Sequence, residues 1–391
     1  MTSLSGTPLG QHAPEIWRAW HSPCNIGREY LFWSDSIIVA DGIRDPFEVG
    51  PVRIYPNHVQ MAAVGEWAPR ATLRLDSYMA AEPHPGISEE LDHAKWWLGL
   101  SIDEEVAVLV SLLCGIRLRS AGAVRIFETD GEPAGVPWYM NYNPPVQLPP
   151  LWHSSIIPSH DGAANLSNMC GLLSSFAALP PASAITLIKA ARHYSNALMI
   201  ANSDPEQAWL QLVTAVEVAA VQYQAGRFTD VQMLADAHAG LVSDLRKSGN
   251  EELIPVVANR LSRSMLATRR FVEFLHDFRP GPPIKRPQND SSRVDWGQIE
   301  IAIKDIYKYR SRLLHEGIPF PGPLLTRPAQ STDDGMLEER PQAGVIYSFG
   351  RAGWKGEGLP MYLHVFAYIV RKSLLAWWGS LCPQPESSEP G

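Results

Sequence analysis

Cysteine is scarce in this 391-residue chain: there are four, Cys24, Cys114, Cys170 and Cys382, all far apart. None has the close spacing of a zinc site, a redox dithiol or a disulfide framework, so those chemistries are excluded and a reducing cytoplasm is the expected compartment. Histidine supplies no metal set either, because His84, His93, His153, His160 and His238 lack ligand spacing. No metal and no cofactor are expected. Long apolar runs are missing too. The longest, Val106 to Ile116, is too short to span a bilayer, and Met361 to Trp378 is interrupted by His364, Arg371 and Lys372. The N-terminus has no basic region followed by an apolar core, so neither a secretory signal nor a membrane segment is expected. There is no internal repeat.

Positive charge is also short overall. A net charge of -8 argues against broad nonspecific nucleic-acid binding by the whole molecule. Its distribution is uneven, however. From Arg260 to Arg312 there are twelve Lys or Arg against six Asp or Glu, so this section carries about +6 and the remainder about -14. The island surrounds the stretch IEIAIKDIYKYRSRLLHEG, Ile299 to Gly317.

That stretch reads as one amphipathic helix. Asp295, with Gln298 three residues later, has capping-box spacing at its start, and Gly317 followed by Pro319 stops it. Ile299, Ile303, Ile306 and Leu313 define a buried stripe, and Arg310 falls on it. A buried guanidinium needs a carboxylate, a phosphate or a subunit boundary. Lys304, Lys308 and Arg312 repeat every four residues on another face, with Glu300 placed to pair with Lys304, and are most simply solvated cations.

The length suggests two domains, or one domain with large additions. Residues 1 to about 28 read as a tail or edge segment. Strand-like runs follow at Glu29–Ala40, Phe47–Tyr55 and Ala71–Tyr78, then helices at Ser88–Gly99 and from Ser101, capped by Glu104, to about Leu118, then a strand at Ala123–Glu128. Seven prolines between Pro133 and Pro158 exclude a regular helix or central strand there. The expected organisation is an α+β N-terminal domain over 1–150, a linker over 151–180, an all-α bundle over 181–381 with a Pro/Gly-rich insertion at 318–359, and a disordered tail at 382–391. Expected helices of the second half are Ala182–Ala201, one capped by Asp204 and running to about Gln224, Asp230–Lys247, Glu251–Phe278, Ile299–Glu316 and Met361–Leu381, with a hairpin-like piece at Gly344–Phe349.

Arg310 and His315 fit an arginine, four to six residues, histidine spacing, which chance alone supplies about twice in a chain of this composition. Arg53 with His58 has Pro56 between them, whereas Arg269 or Arg270 with His276 lies on a helical pattern and is the competitor. Arg310 is followed by the small polar Ser311, and His315 ends its helix just before glycine. The run IYKYRSRLLHEG resembles the signature of the HEPN superfamily, most closely its Apea-like branch, in which an aromatic and an Arg-Ser pair precede the histidine. RHYSNALMIANSDPEQAWLQLVTAVEVAA resembles that branch's first helix pair, with a single acidic residue, here Glu217. The likeness covers about residues 181 to 381. The chain departs from the wider superfamily at Ser311, often Asn, Asp or His, and at Glu316, where glycine commonly follows the histidine directly.

The resemblance implies an HEPN-like helical bundle and a metal-independent endoribonuclease, in which two copies of the motif meet across a homodimer. It implies that His315 serves as general base or acid at the ribose 2′-hydroxyl, that Arg310 holds the scissile phosphate, and that Ser311 is the polar second motif residue. Lys304, Lys308 and Arg312 are the cations placed to meet RNA. It also implies a toxin or antiphage effector, with an antitoxin or another defence subunit as partner, and a possible sensor role for residues 1–150. The rival is a catalytically silent HEPN-type module that binds RNA or protein. Physical chemistry is compatible with the nuclease. Residues five apart on a helix diverge by about 140° with roughly 7.5 Å of rise, so Arg310 and its own His315 do not aim at one small target, whereas two copies about a twofold axis can.

Glu217, the only charged residue between Glu206 and Arg227, needs a cation, and Arg310 is the expected partner. Trp96-Trp97 and Trp377-Trp378 are expected to pack in cores or interfaces rather than to stack on bases.

Overall fold

The computed structural model describes residues 26–34, 37–39, 47–49, 52–63, 66–77, 98–128, 139–140, 155–158, 163–167, 170–225, 229–261, 267–330 and 335–382. Helix predominates among them. No helix among the described residues is long and apolar enough to cross a membrane. The chain divides into two compact units, residues 1–212 with 374–391, and residues 213–373.

The first unit holds strands β1 (Ile26–Ser34), β2 (Ile37–Val39), β3 (Phe47–Val49), β4 (Val52–Ala63), β5 (Glu66–Ser77), β6 (Leu118–Glu128), β7 (Tyr139–Met140) and β8 (Ala163–Asn165). Six of them form a sheet in the order β3-β4-β5-β1-β6-β7, every pair antiparallel. β2 and β8 form a separate parallel pair. Within the sheet, Ile54 sits opposite Leu73 and both are buried, the cross-strand apolar pairing that holds register. Two differences from the sequence reading have physical causes. Phe47–Tyr55, expected as one strand, is a hairpin in which Val49 pairs with Val52. And β4 runs through Pro56 to Ala63: among the described residues no strand pairs with its second edge beyond the short β3, and proline's missing N–H is tolerated at such an edge.

Helix α1 (Ile102–Cys114) starts as its sequence predicts: the Glu104 carboxylate accepts the Ser101 backbone N–H at 2.8 Å and its hydroxyl at 3.0 Å. It ends earlier than expected, at Gly115 in the left-handed conformation (φ 71°), and β6 begins three residues later. α1 is buried along most of its length and packs on β6 and on α3 (Pro181–Ile200). The Arg192 Nη1 of α3 donates to the Leu98 carbonyl at 2.6 Å, and the Ile156 N–H donates to Asn202 at 2.9 Å. These contacts tie together chain from before, within and after residues 151–180, all of it inside the first unit. Short helix α2 (Cys170–Ser175) brings Phe176 edge-on to Trp378, with ring centroids 5.9 Å apart. Trp377 and Trp378 are both fully buried, which is core packing. Most of the expected helix 88–99, with Trp96 and Trp97, lies outside the described residues, as do 383–391; Leu98 and Gly99 are not helical.

Helix α4 (Pro205–Tyr223) is capped by Asp204, whose Oδ1 accepts the Gln207 N–H at 3.0 Å. Its second half belongs to the second unit, which continues with α5 (Asp230–Ala237), α6 (Ala239–Lys247), α7 (Leu253–Leu261), α8 (Ala267–Phe278), α9 (Ile299–Glu316) and the first part of α10 (Leu363–Leu381). The expected helix Asp230–Lys247 is therefore two, broken at His238 (φ -138°, ψ 54°). Leu234 and Val242, eight residues apart, would diverge by about 80° on a straight helix; with the break both join one core with Ile254 and Ala258. Glu251–Phe278 likewise comprises α7 and α8, with 262–266 outside the described residues. Phe271, Phe274, Ile299, Ile303, Ile306, Tyr307 and Phe366 build the larger core of this unit. The 318–359 segment contains a hairpin of β9 (Ile346–Phe349) and β10 (Ala352–Lys355).

Candidate functional site

Helix α9 has the expected bounds, Ile299–Glu316, but the expected capping box does not open it. Asp295 accepts the Gly297 N–H at 2.9 Å and caps a 3-10 turn, Trp296–Gln298, so the helix proper opens one turn later at Ile299. Its end is as the sequence reads: Gly317 (φ 67°) donates its N–H to the Leu313 carbonyl at 3.1 Å.

Along the core-facing side, Ile299, Ile303, Ile306 and Tyr307 are buried, and one turn on Arg310 enters the same stripe. Its Nη2 donates to Glu217 Oε2 of α4 at 2.8 Å, with the two side chains only 21% and 20% exposed. The expected Glu217–Arg310 ion pair is thus present. Tyr307, not singled out in the sequence, completes it: its hydroxyl donates to Glu217 Oε1 at 2.9 Å, and the Arg310 guanidinium lies 5.5 Å from its ring centroid. The signal for Tyr307 was its place three residues before Arg310, which puts both on one helix face. Burial, followed by the Glu217 charge and hydrogen bond, pushes the Tyr307 phenol up to about 12. The Arg310 charge, and after it the Thr268 side chain of α8, opposes that rise. Phe271, also of α8, packs on the ring at 4.9 Å. One chain of hydrogen-bonded side chains, Tyr307, Glu217 and Arg310, therefore links α9 and α4.

His315 lies on the solvent side of the last turn of α9 and is exposed. Lys304 and Lys308 share that side with it, and Ser311 borders it half-buried. Lys304 pairs with Glu300 at 2.6 Å, and Arg312 Nε lies 3.9 Å from Glu316. Arg310 and His315 of one chain thus face different ways, as residues five apart on a helix must. Among the described residues, cover over the Arg310 stripe also stops there. Leu313 is half-buried, Leu314 is 52% exposed, and Val221, one turn past Glu217 on α4, is 56% exposed.

The competing pair is differently engaged. Arg269 is held by Glu273 at 2.5 Å, Arg270 Nη2 lies 3.0 Å from the Met233 sulfur, and exposed His276 contacts Asp277 at 3.2 Å. The basic island is partly neutralised from outside itself, since Arg286 pairs with Glu339, Arg310 with Glu217 and Arg312 with Glu316. Among the described residues, no group of three or more His, Cys, Asp or Glu is placed to hold a metal ion.

Chemically, the site offers a fixed guanidinium and, on the adjoining helix face, an exposed imidazole. The first suits an anion and the second proton transfer. No protein-family model, curated protein or solved structure matches this chain.

Proposed function

We propose that this chain is a metal-independent HEPN-type endoribonuclease that acts as a homodimer, with an α+β N-terminal domain ahead of an HEPN-like helical bundle. The observation that carries the reading is the placement of Arg310: it is on the apolar stripe of α9, oriented by Glu217, where that stripe emerges from its own core beside exposed Leu314. A second copy seated over this emerging stripe brings Arg310 of one chain toward His315 of the partner subunit. In the composite site His315 takes the proton of a ribose 2′-hydroxyl, and the freed 2′-oxygen attacks the adjacent phosphorus. Arg310 stabilises the charge gathering on the phosphoryl oxygens as the 5′-oxygen leaves and takes a proton from water, giving a 2′,3′-cyclic phosphate. Ser311 borders the path, and Lys304, Lys308 and Arg312 line the exposed helix face along which the strand runs. A toxin or antiphage effector is the biological role that fits this activity, with an antitoxin or another defence subunit as its regulator.

One observation favours a second reading, a catalytically silent HEPN-type module that binds RNA or a protein partner: Arg310 already has a carboxylate partner. Incubating the purified protein with total RNA in EDTA separates the two. The nuclease reading expects cleavage that persists in EDTA and is lost in both Arg310→Ala and His315→Ala. Wild-type rates in His315→Ala overturn the site; no cleavage by the wild-type protein, with RNA still bound, leaves the binding module.

A further inference from the structure

Arg310 uses little of its hydrogen-bonding capacity. A guanidinium carries five N–H donors in a planar fork, yet among the described residues only Nη2 is engaged by a carboxylate oxygen, at 2.8 Å. A bidentate Arg-carboxylate pair would use two parallel N–H bonds. Here the other oxygen, Oε1, accepts the Tyr307 hydroxyl instead, at 2.9 Å. The Tyr307 ring also lies against the guanidinium, 5.5 Å from its centroid. The side chain is therefore held at one edge by Glu217 and beside one face by Tyr307.

We infer that Glu217 and Tyr307 are positioning residues: they fix Arg310 so that its remaining guanidinium edge takes a phosphodiester anion, which binds alongside Glu217 without displacing it. The inference rests on the nuclease reading for its kinetic consequence, while the held guanidinium is testable without it. Two demands are met at once. Arginine normally loses much rotamer freedom on binding an anion, and prior restraint removes that loss from the binding step. The neighbouring negative charge lowers affinity for a polyanion, so binding is restrained while orientation is retained.

The test compares Glu217→Gln, Glu217→Ala and Tyr307→Phe with wild type, after thermal melts establish that each is folded at the assay temperature. A 2′-O-methyl RNA oligonucleotide, which carries the phosphodiester but cannot react, reports binding; unmodified RNA of the same sequence reports kcat and KM. Glu217→Ala is expected to lower kcat about tenfold or more, the scale of a misplaced catalytic group. Glu217→Gln, which keeps an acceptor and removes the charge, is expected to lose about threefold in kcat while binding the 2′-O-methyl RNA severalfold tighter. Tyr307→Phe lowers kcat with little change in KM. A Glu217→Ala protein as fast as wild type or faster overturns positioning, because Glu217 would then only block Arg310. If wild type cuts no RNA, the nuclease reading fails by itself and ¹⁵N NMR of the arginine Nη–H groups decides. A slowly exchanging Arg310 signal that shifts with 2′-O-methyl RNA in wild type, and is lost in Glu217→Ala, upholds the held guanidinium. An Arg310 signal indifferent to Glu217→Ala or to the oligonucleotide overturns it.

Discussion

The Tyr307 hydroxyl keeps its proton because ionising it would place a phenolate in a half-desolvated site beside the Glu217 carboxylate. Its pKa rises from 10.0 to about 12 in the folded protein. Between those values the unfolded chain has released this proton and the folded chain has not, so the folded state binds more protons and stability falls as pH rises. The contribution is fully present below pH 10 and is lost as pH climbs toward 12. Buried Tyr362 is raised as well, so the difference between wild type and Tyr307→Phe isolates the residue. Urea unfolding at a series of pH values should give a shallower alkaline decline in Tyr307→Phe. Parallel declines would mean that Tyr307 does not hold its proton in the fold. Much of this cluster was legible in advance: Arg310 on an apolar stripe demanded a partner, and Glu217 was the isolated carboxylate on an apolar helix. Tyr307 was not, because an aromatic on such a stripe reads as packing, and only the register of α4 against α9 turns its hydroxyl toward Glu217.

At the scale of elements, a two-pronged ion pair cross-links the Pro/Gly-rich segments flanking α9, where the sequence offered least. Arg286 makes a two-pronged pair with Glu339, Nε to Oε1 at 2.6 Å and Nη2 to Oε2 at 2.5 Å. The Val294 N–H donates to Glu339 Oε2 at 2.8 Å, and Arg286 Nη2 also reaches the Val294 carbonyl at 2.7 Å. The Glu339 backbone in turn receives the Tyr362 N–H at 2.8 Å, tying the chain entering α9 to the chain entering α10. Glu339 is almost fully buried, so Glu339→Ala strands the Arg286 charge and is expected to destabilise the protein by about 3 kcal/mol. A double-mutant cycle with Arg286→Ala should recover much of that loss; additive losses would show that the two residues act separately. Periodicity could not reveal this pair, since neither residue sits in a regular element and 53 positions separate them. The same limit explains the break at His238 and the hairpin at Val49–Val52: both are set by which core the flanking residues reach, not by local pattern. Caps were more readable, as Ser101–Glu104 and Asp204 show, because a cap is decided within four residues.

For the molecule as a whole, the question is how many chains make one site. On a single α9, Arg310 faces the core and His315 faces solvent, about 140° apart around the helix. If the reaction needs both groups at one phosphate, the arginine of one chain must work with His315 of the partner subunit, and each dimer carries two such sites. Arg310→Ala and His315→Ala, inactive alone, then complement each other. In a mixed dimer, the first chain supplies His315 and the second supplies Arg310, so one site is intact and the other lacks both groups. Equal amounts that exchange freely give half mixed dimers, each with one working site of two, hence about a quarter of wild-type activity. A site formed within one chain predicts no recovery at any ratio, because no chain in the mixture carries both residues. Leu314→Glu supplies the physical control: a charge where the stripe emerges should weaken association, measured as solution mass, and abolish the recovered activity in parallel. Full activity from a protein that remains monomeric at micromolar concentration would rule out the shared site.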